Sequence, residues 1–297
     1  MDLKSVSKPV GAQFESAAAQ TPSKVLPGHA GTAPVEESRA ARLLVSGKSD
    51  TPIKPAGTGA TLESVIAADD RTRILETEMS PWRMICALRI KSSVGEFVGT
   101  GWFVSPRTIL TAGHCVHDSQ QMNGWADSIE ISPGRDHEEL PFGTVTSANL
   151  STLSIWVEER DPDFDIGCIQ LDQAVGEQTG WFSVAALPAE KLESHQVNIS
   201  GYPADRGRGE QQWFHANRVL SVSARRVFYD IDTFGGQSGS PVWIHEQVDS
   251  PPVAVGIHAY GIGGTPSTMG ITANSAPRIL PETFDIIQQW IDENAVS

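Results

Sequence analysis

Ser238 stands between glycines in residues 233–243, TFGGQSGSPVW, a segment whose composition suits a nucleophile held on a tight turn. A serine hydroxyl that attacks a peptide carbonyl needs backbone N–H groups aimed at the developing oxyanion. Because Gly236 has no Cβ to block the turn, its N–H can lie beside that of Ser238, and the two form the expected oxyanion hole. The alternative is an ordinary Gly/Ser turn before a strand.

A histidine and an aspartate upstream supply the other groups that this chemistry requires. His114 follows the small residues of TAG, so we expect its ring to be exposed at the end of a strand. Asp165 opens the apolar strand of DFDIGCIQLD, where a buried carboxylate needs a partner such as a histidine N–H. Asp161 and Asp163 are rivals for this role, and we expect both in a solvated loop.

These three motifs resemble those of the chymotrypsin-like serine proteases. TAGHC resembles the family's histidine motif, FDIGCIQL its aspartate strand and GQSGSP its serine motif, and the resemblance covers about residues 64–297. It implies a serine endopeptidase in which His114 takes the Ser238 proton and Asp165 orients the imidazole. It also implies two perpendicular six-stranded antiparallel β-barrels with the triad in the cleft between them, and a C-terminal α-helix.

Within this family, five segments resemble the bacterial glutamyl endopeptidases more closely. They are SVIAADDRTRI (64–74), GTGW (99–102), SGYPADR (200–206), DTFGGQSGSPVW (232–243) and GIHAYG (256–261).

The closer resemblance implies cleavage after glutamate or aspartate, and a zymogen that is processed. It assigns Thr233 and His258 to the substrate carboxylate, with an α-amino group released near Val65 adding positive charge. A hydroxyl, an imidazole and an ammonium suit a carboxylate, whose burial requires donors and opposite charge. Mature chains of that group begin at or next to Ser-Val-Ile, so processing is expected between Glu63 and Ser64 or one residue later.

Asp232 supports a competing interpretation of the pocket. It precedes Ser238 by six residues, where trypsin-like enzymes hold the aspartate that selects Arg or Lys. The carboxylate can instead point away or pair with His258, and His258 itself can be a core histidine with a satisfied hydrogen bond. Cleavage after Arg or Lys therefore stays the alternative, and the glutamyl resemblance of 232–243 and of GIH favours glutamate.

Two positions depart from the family pattern. The family often pairs the cysteine after the histidine with one just before the TGW stretch, but Gly99 occupies that place and leaves Cys115 without its usual partner. Gln237 stands where many trypsin-like enzymes carry an aspartate that binds the new N-terminus. That activation switch is absent, and in the glutamyl group the new N-terminus contributes to the specificity pocket instead.

Cysteine and histidine spacing indicates neither a metal nor a cofactor. Cys86, Cys115 and Cys168 are widely spaced and fit no metal-binding pattern and no dense disulfide framework. Cys168 lies in an apolar run and is expected as a small buried residue. A Cys86–Cys115 bridge stays open on the sequence alone.

Strand-like runs that must position these residues recur from Ser64 onward, broken by Gly, Pro, Asn and Asp, as in all-β sandwiches and barrels. Residues 84–104 are predicted to form a hairpin. Near the C-terminus, Phe284, Ile287 and Ile291 share one helical face. We expect a protease domain over 64–297, divided into a first barrel (about 64–180), a second barrel (181–280) and a C-terminal helix (281–297).

Residues 1–63 differ in composition from the rest. They are rich in small and polar residues without a sustained period, so we expect them to be disordered or to form a pro-segment. Residues 35–44 are a short amphipathic stretch that suits a helix. The first 20 residues have no apolar h-region and do not resemble a Sec signal peptide. The family resemblance favours a secreted protein, with an intracellular location as the alternative.

Charge restricts the classes of partner. Lys plus Arg is 22 and Asp plus Glu is 36, which gives a formal net charge of −14 and argues against nucleic acid and anionic membranes as partners. We expect a monomer acting on protein or peptide substrates. The rival interpretations are a protease-fold binding protein without catalysis, a toxin-like protease with one narrow target and, less favoured, a protease–chaperone.

Overall fold

The computed structural model describes residues 3–8, 24–32, 54–55, 64–66, 68–246 and 251–295. Over these residues the chain is mostly β-structure, as the sequence predicts, and forms two large curled sheets and one small two-stranded sheet. The Glu63 side of the expected processing site and the amphipathic stretch 35–44 lie outside the described residues.

The first sheet has nine strands. They are β1 (Ser5–Ser7), β3 (Lys54–Pro55), β5 (Ile85–Ser92), β6 (Gly95–Phe103), β7 (Thr108–Thr111), β10 (Ser128–Pro133), β11 (Val145–Ser147), β12 (Asn149–Leu153) and β13 (Gly167–Gln170). Their order is β1-β12-β13-β7-β6-β5-β10-β11, and β3 pairs in parallel with β6. Six of them, β5, β6, β7, β10, β12 and β13, form the continuous antiparallel set that corresponds to the expected first barrel.

The second sheet also has nine strands. They are β2 (Lys24–Leu26), β4 (Thr72–Arg73), β14 (Ser183–Ala186), β15 (Gln196–Gly201), β16 (Trp213–Val222), β17 (Arg226–Tyr229), β18 (Pro241–Ile244), β19 (Val253–Ile257) and β20 (Asn274–Pro277). Their order is β2-β14-β19-β18-β15-β16-β17-β20, with β4 on β16. β15 to β20 form an antiparallel set, which a bridge between Gly256 and Arg278 closes on itself.

The remaining strands and the α-helices are short except for the last helix. They are β8 (His117–Asp118) and β9 (Gly124–Trp125), which pair, and α1 (Gly113–Val116), α2 (Ser154–Glu159), α3 (Gly176–Thr179), α4 (Ala189–Glu193) and α5 (Pro281–Ala295). Helix α5 confirms the predicted C-terminal helix, with Phe284 and Ile287 buried and Ile291 half-buried. Within the described residues, no helix is both long and apolar enough to span a membrane.

Aromatic side chains connect the two sheets. Trp102 of β6, Phe182 and Trp243 of β18 are buried, and their rings meet edge to face with centroids 5.4 and 5.6 Å apart. Such edge-to-face contacts add to the stabilisation from apolar burial. The sheets therefore share one core, which fixes the cleft between them.

Parts of the leading segment take part in this fold. β1 adds to the edge of the first sheet at β12, and β2 adds to the edge of the second sheet at β14. For these two described stretches, the paired strands agree with a pro-segment that packs on the enzyme. The division of the chain at residue 63 itself stays a prediction.

Candidate active site

His114 lies on α1, the short helix that follows β7 in the chain. Its backbone N–H donates to Asp165 Oδ1 at 2.8 Å, and its Nδ1 lies 2.7 Å from Asp165 Oδ2. Gly113 permits this approach, because a Cβ there would lie 2.9 Å from Asp165 Oδ1. The imidazole is buried, so the expectation of an exposed ring at the strand end was wrong: the ring packs beneath the surface against its carboxylate.

Asp165 is fully buried just before β13, as the sequence predicts. Besides the two bonds from His114, its Oδ2 accepts the hydroxyl of Tyr260 at 2.6 Å. The two alternative aspartates have other partners. Asp161 caps a short turn by accepting the N–H of Asp163. The Asp163 carboxylate lies 4.0 Å from Arg226 Nε. Asp165 is the aspartate that the structure joins to the histidine.

The pKa of His114 is set by burial and by its neighbours. Burial is the largest influence and lowers the pKa of the imidazole, but the charge and hydrogen bond of Asp165, together with contributions from Cys115, raise the pKa well above its ordinary value. Within the described residues, Nε2 of His114 is buried without a hydrogen-bond partner. A buried polar atom of this kind is uncommon in folded proteins and is expected at functional sites.

Ser238 lies in the loop between β17 and β18, whose shape depends on two glycines. Gly236 has φ +106° and Gly239 has φ +91°, values that favour glycine. A Cβ on Gly236 would lie 2.6 Å from Tyr202 O, and one on Gly239 would lie 2.1 Å from Thr100 O. The tight turn that the sequence predicts is therefore present.

Thr100 of β6 connects this loop to the first sheet through two hydrogen bonds. Its N–H donates to Ser238 O at 2.9 Å, and its Oγ1 donates to Gly236 O at 2.8 Å. Cys115, the neighbour of His114, also approaches Ser238 O, at 3.7 Å from Sγ. The loop that carries the serine and the helix that carries the histidine thus meet across the two sheets.

The residues expected in the specificity pocket gather on the second sheet. His258 is fully buried, and its Nδ1 lies 2.6 Å from the Tyr229 hydroxyl. Burial, with further contributions from the charges of His114 and Arg226, lowers the pKa of His258 to about 3, so its imidazole is neutral near pH 7. Thr233 is also fully buried, and Asn274 Nδ2 donates to its Oγ1 at 3.0 Å.

The segment that starts at Ser64 reaches the same place. Ser64 O accepts the Thr233 N–H at 3.2 Å and Asn274 Nδ2 at 2.6 Å. Val65 follows it, half-buried, and Ile66 is held in turn by Asp232. The structure therefore brings Ser64 directly against Thr233, a residue 169 positions further along the chain.

Asp232 does not face a substrate pocket in this structure. Its carboxylate is 2% exposed, and it accepts the N–H of Ile66 at 2.6 Å and that of Asp70 at 2.8 Å. Donor atoms of Asp70, His215 and Asp232 lie within 4.8 Å of one another, but Nδ1 of His215 already accepts the Asp232 N–H at 2.9 Å. The arrangement anchors Ile66 and Asp70 and agrees with the interpretation in which the aspartate points away.

Sequence reasoning missed four residues of the site. Tyr260, Thr100, Tyr229 and Asn274 each hold a triad or pocket residue through a hydrogen bond. Tyr260 and Tyr229 carry one detectable signal, since a buried tyrosine hydroxyl requires a hydrogen-bond partner.

The cysteines are free and buried, so the bridge between Cys86 and Cys115 that the sequence left open is absent. Burial raises the pKa of the Cys168 thiol well above its ordinary value, which agrees with the prediction of a small buried residue. Gly99 lies beside Cys115: a Cβ on Gly99 would be 2.9 Å from Cys115 Sγ. Gly99, which stands where the family often carries the partner cysteine, therefore lies next to Cys115 in the structure.

Comparison with known proteins places this geometry in a family. The trypsin-like peptidase domain family matches residues 99–248. The glutamyl endopeptidase of Bacillus licheniformis is 35% identical over 80% of this chain and 72% of its own length. A protein of Bacillus subtilis named extracellular metalloprotease is 32% identical over 77% of this chain and 70% of its own length. A solved structure of a Glu endopeptidase superposes with a TM-score of 0.65 at 25% identity, over 77% of this chain and 99% of that one.

The family match over residues 99–248 includes His114, Asp165 and Ser238. The family's fold, two curled antiparallel sheets and a C-terminal helix, is also the fold described above. The chain therefore belongs to the trypsin-like peptidase family and is a chymotrypsin-like serine endopeptidase.

Proposed function

We propose that this endopeptidase cleaves peptide bonds after glutamate, and less readily after aspartate, once processing has released Ser64 as its N-terminus. One observation supports this most: Ser64 O is held by Thr233 and Asn274 beside the expected pocket. An ammonium at this place supplies the positive charge that a buried substrate carboxylate requires.

His258 contributes a hydrogen bond rather than a charge. Its lowered pKa, about 3, keeps the ring neutral, and we assign the Tyr229 hydroxyl as the donor to Nδ1, which places the ring proton on Nε2. A neutral imidazole N–H, the Thr233 hydroxyl and the new ammonium together suit a carboxylate. The combination offers nothing to an arginine or lysine side chain.

The proposed chemical steps use a triad of His114, Asp165 and Ser238. His114 takes the Ser238 Oγ proton through Nε2 as Oγ attacks the carbonyl, while Asp165 holds the imidazole in the required tautomer. The N–H groups of Gly236 and Ser238 bind the oxyanion, and each such donor contributes roughly 100- to 1,000-fold in rate. His114 then protonates the leaving amine, and water hydrolyses the acyl-enzyme.

The biological setting is part of the proposal. We infer a zymogen processed between Glu63 and Ser64, acting as a secreted monomer on protein or peptide substrates. The relative from Bacillus subtilis is named as extracellular, which supports secretion. The competing trypsin-like specificity loses its main support, because both oxygens of Asp232 bind backbone amides. A silent binding protein is disfavoured by the intact pairing of His114 with Asp165.

Peptides that differ only in the residue before the cleaved bond test the proposal. The processed enzyme is given otherwise identical peptides with Glu, Gln, Asp or Lys at that position, and the products are identified by mass spectrometry. We expect the Glu peptide to be cleaved with the highest kcat/KM, and the Ser238→Ala variant to cleave none. Preferred cleavage after Lys would contradict the assignment, and broad cleavage of casein would count against a narrow-target protease.

His258→Ala separates the role of the pocket from that of the triad. A hydrogen bond to a charged group contributes about 1.5–3 kcal/mol, so the preference for Glu over Gln is expected to fall by roughly 10- to 100-fold. His245→Ala is the matched control, because this histidine is exposed at the end of β18. An unchanged Glu/Gln ratio in His258→Ala would remove this residue from the pocket.

A further inference from the structure

The first described residues of the chain are integrated into the first sheet. Ser5, Val6 and Ser7 pair with Leu153, Thr152 and Ser151 of β12. The ladder continues on both sides, because Ser154 N–H donates to Lys4 O and Lys8 N–H donates to Leu150 O, each at 2.8 Å. Leu3 is buried at the end of the ladder. This strand therefore covers an edge that otherwise exposes a row of backbone groups.

A second stretch, residues 24–32, pairs with the second sheet and contacts the segment that connects the two sheets. Lys24, Val25 and Leu26 pair with β14. His29 and Trp181 exchange backbone hydrogen bonds of 2.9 and 2.8 Å, and their rings stack at 4.7 Å. We call residues 3–8 and 24–32 together the clamp.

The body of the enzyme is shaped to receive the clamp. A Cβ on Gly28 would lie 2.4 Å from Ser183 N, and one on Gly180 would lie 2.3 Å from His29 O. Arg83 is buried beneath this contact and donates to the carbonyls of Thr179 and Ala30, one from each side. A buried guanidinium needs such acceptors, and the clamp supplies one of them.

Helix α5 joins the clamp at two further points. Trp290 Nε1 donates to Ser5 Oγ at 2.7 Å, and Asp285 forms an ion pair with Lys24. The clamp thus contacts the first sheet, the second sheet, their connection and the last helix. Among the described residues, none of these contacts involves His114, Asp165 or Ser238.

We propose that the clamp stays bound to the enzyme after the chain is cut between Glu63 and Ser64, so that the mature form is a noncovalent two-chain enzyme. The proposal accepts the processing site of the proposed function, but it concerns what happens to the released segment. The clamp is attached at two separated sites, and loss of the segment requires both to open together, because each keeps the other at high effective concentration. The clamp contacts described above do not involve His114, Asp165 or Ser238, so retention of the clamp does not require it to occupy the active site.

The test uses the full chain and a cut that does not depend on its own activity. A recognition site for an unrelated sequence-specific protease is inserted between residues 33 and 50 in the Ser238→Ala background. After cutting, the protein is passed through a size-exclusion column at neutral pH, and the fractions are analysed on denaturing gels. We expect the small and large fragments to co-elute in equal amounts; elution of the small fragment by itself overturns the proposal. Failure of the proposed function would appear in the peptide assay instead.

Substitutions inside the clamp show whether these contacts hold it, since they leave the sequence of the protease domain unchanged. Gly28→Ala places a Cβ against the backbone of β14, and we expect most of the small fragment to be lost after cutting. Val25→Thr is the matched control, because Val25 is exposed on β2, three residues before Gly28, and the change keeps its shape. Leu3→Ala, at the other site, is expected to lower the retained fraction. Equal retention in Gly28→Ala, Leu3→Ala and Val25→Thr contradicts the proposal.

Discussion

Asp165 is bound by more groups than the histidine alone. Its Oδ2 is shared between His114 Nδ1 and the hydroxyl of Tyr260. Burial and the Asp165 charge raise the pKa of the Tyr260 phenol well above its ordinary value, so the phenol remains a donor at every working pH. Its ring is held by the Arg226 guanidinium, 4.8 Å from the ring centre. Tyr260 is therefore a positioning residue that acts on His114 through the carboxylate.

Tyr260→Phe removes this donor and keeps the ring. Without it, the charge on Asp165 is less dispersed and stabilises the protonated imidazole more strongly, so the pKa of His114 rises further. A general base with a higher pKa stays protonated, and therefore inactive, up to a higher pH. The acid limb of the kcat/KM profile therefore moves to higher pH. We expect kcat to fall by roughly 10-fold or more, as for a hydrogen bond to a charged group. The pH–rate profile measures both effects.

Tyr229→Phe is the control for Tyr260→Phe. Both tyrosines are buried, but the hydroxyl of Tyr229 meets His258 in the pocket rather than the triad carboxylate. It is expected to change the preference for Glu over Gln without moving the acid limb. An acid limb that moves in neither variant would show that Tyr260 has a packing role alone.

Asp165→Asn shifts the pH dependence in the opposite direction. Burial, which remains in this variant, lowers the pKa of His114, and the lost carboxylate is the main group that raises it. The acid limb is therefore expected to move to lower pH in this variant. The amide also favours the wrong tautomer of the imidazole, which costs about 10⁴-fold in kcat. A limb that moves upward in Asp165→Asn would contradict the account of His114 given by the structure.

The placement of Ile66 and Asp70, and through them of Ser64, depends on Asp232. The Asp232 carboxylate holds the Ile66 and Asp70 amides, and Ser64 then reaches Thr233. Asp232→Asn replaces one acceptor oxygen with an N–H₂ group that faces a donor, which costs about 1–3 kcal/mol at a buried site. We expect kcat/KM on the Glu peptide to fall. We expect no change in how Arg and Lys peptides rank in the order of substrate preference. Asp230→Asn, a half-buried aspartate nearby, is the control.

The contact between β6 and α1 has room for a covalent link. The Cβ position of Gly99 lies 2.9 Å from Cys115 Sγ, and its backbone is not in the left-handed region, so a cysteine there meets a sulfur at bonding range. We expect Gly99→Cys to form a bridge with Cys115 that stabilises the fold by about 3 kcal/mol, the value for a loop of roughly 15 residues.

Thermal unfolding with and without reductant measures the effect of Gly99→Cys, and free thiols are counted alongside. The double variant Gly99→Cys, Cys115→Ser provides the control, because it has the new side chain without a partner. Equal unfolding temperatures for the two variants under oxidising conditions would show that the bridge does not form.

At the scale of the whole molecule, the sequence predicts those features of the structure that depend on residues close together in the chain. The serine turn was predictable because Gly236 and Gly239 mark positions with positive φ, and Asp165 because a carboxylate at the start of an apolar strand needs a partner. The final helix was predictable from the period of Phe284, Ile287 and Ile291. In each case the physical requirement is met by residues close together in the chain.

The remaining contacts depend on pairings that no local pattern encodes. Tyr260 reaches Asp165 across 95 residues, and Asn274 reaches Ser64 across 210. β1 and β2 are three residues long, too short to show a strand period, and they become strands only because the edges of β12 and β14 accept them. Asp232 shows the same limit, since its position before Ser238 suggested a pocket residue and its partners make it an anchor.

The proposed triad takes His114 and Asp165 from the first sheet and Ser238 from the second, so the proposed activity requires that the sheets remain docked. α5 follows the second sheet in the chain but packs on the first: Asn294 Nδ2 donates to Arg107 O at 2.8 Å and to Leu171 O at 3.3 Å. Gln170 of β13 donates to Trp290 O in the same helix. The helix therefore acts as a strut between the sheets, and its loss is expected to separate His114 from Ser238.

Asn294→Ala tests this strut at its buried end. Two carbonyls lose a donor, so we expect the free energy of unfolding to fall by about 1–3 kcal/mol, and the melting temperature by about 2–4 °C for each kcal/mol. Gln288→Ala is the control, since the Gln288 amide bonds Asp292 one turn along the same helix. Because docking of the sheets and activity depend on the same contact, inactivation on heating should shift with the melting temperature in Asn294→Ala. Activity that outlasts the loss of the folded signal would mean that α5 does not hold the two halves of the site together.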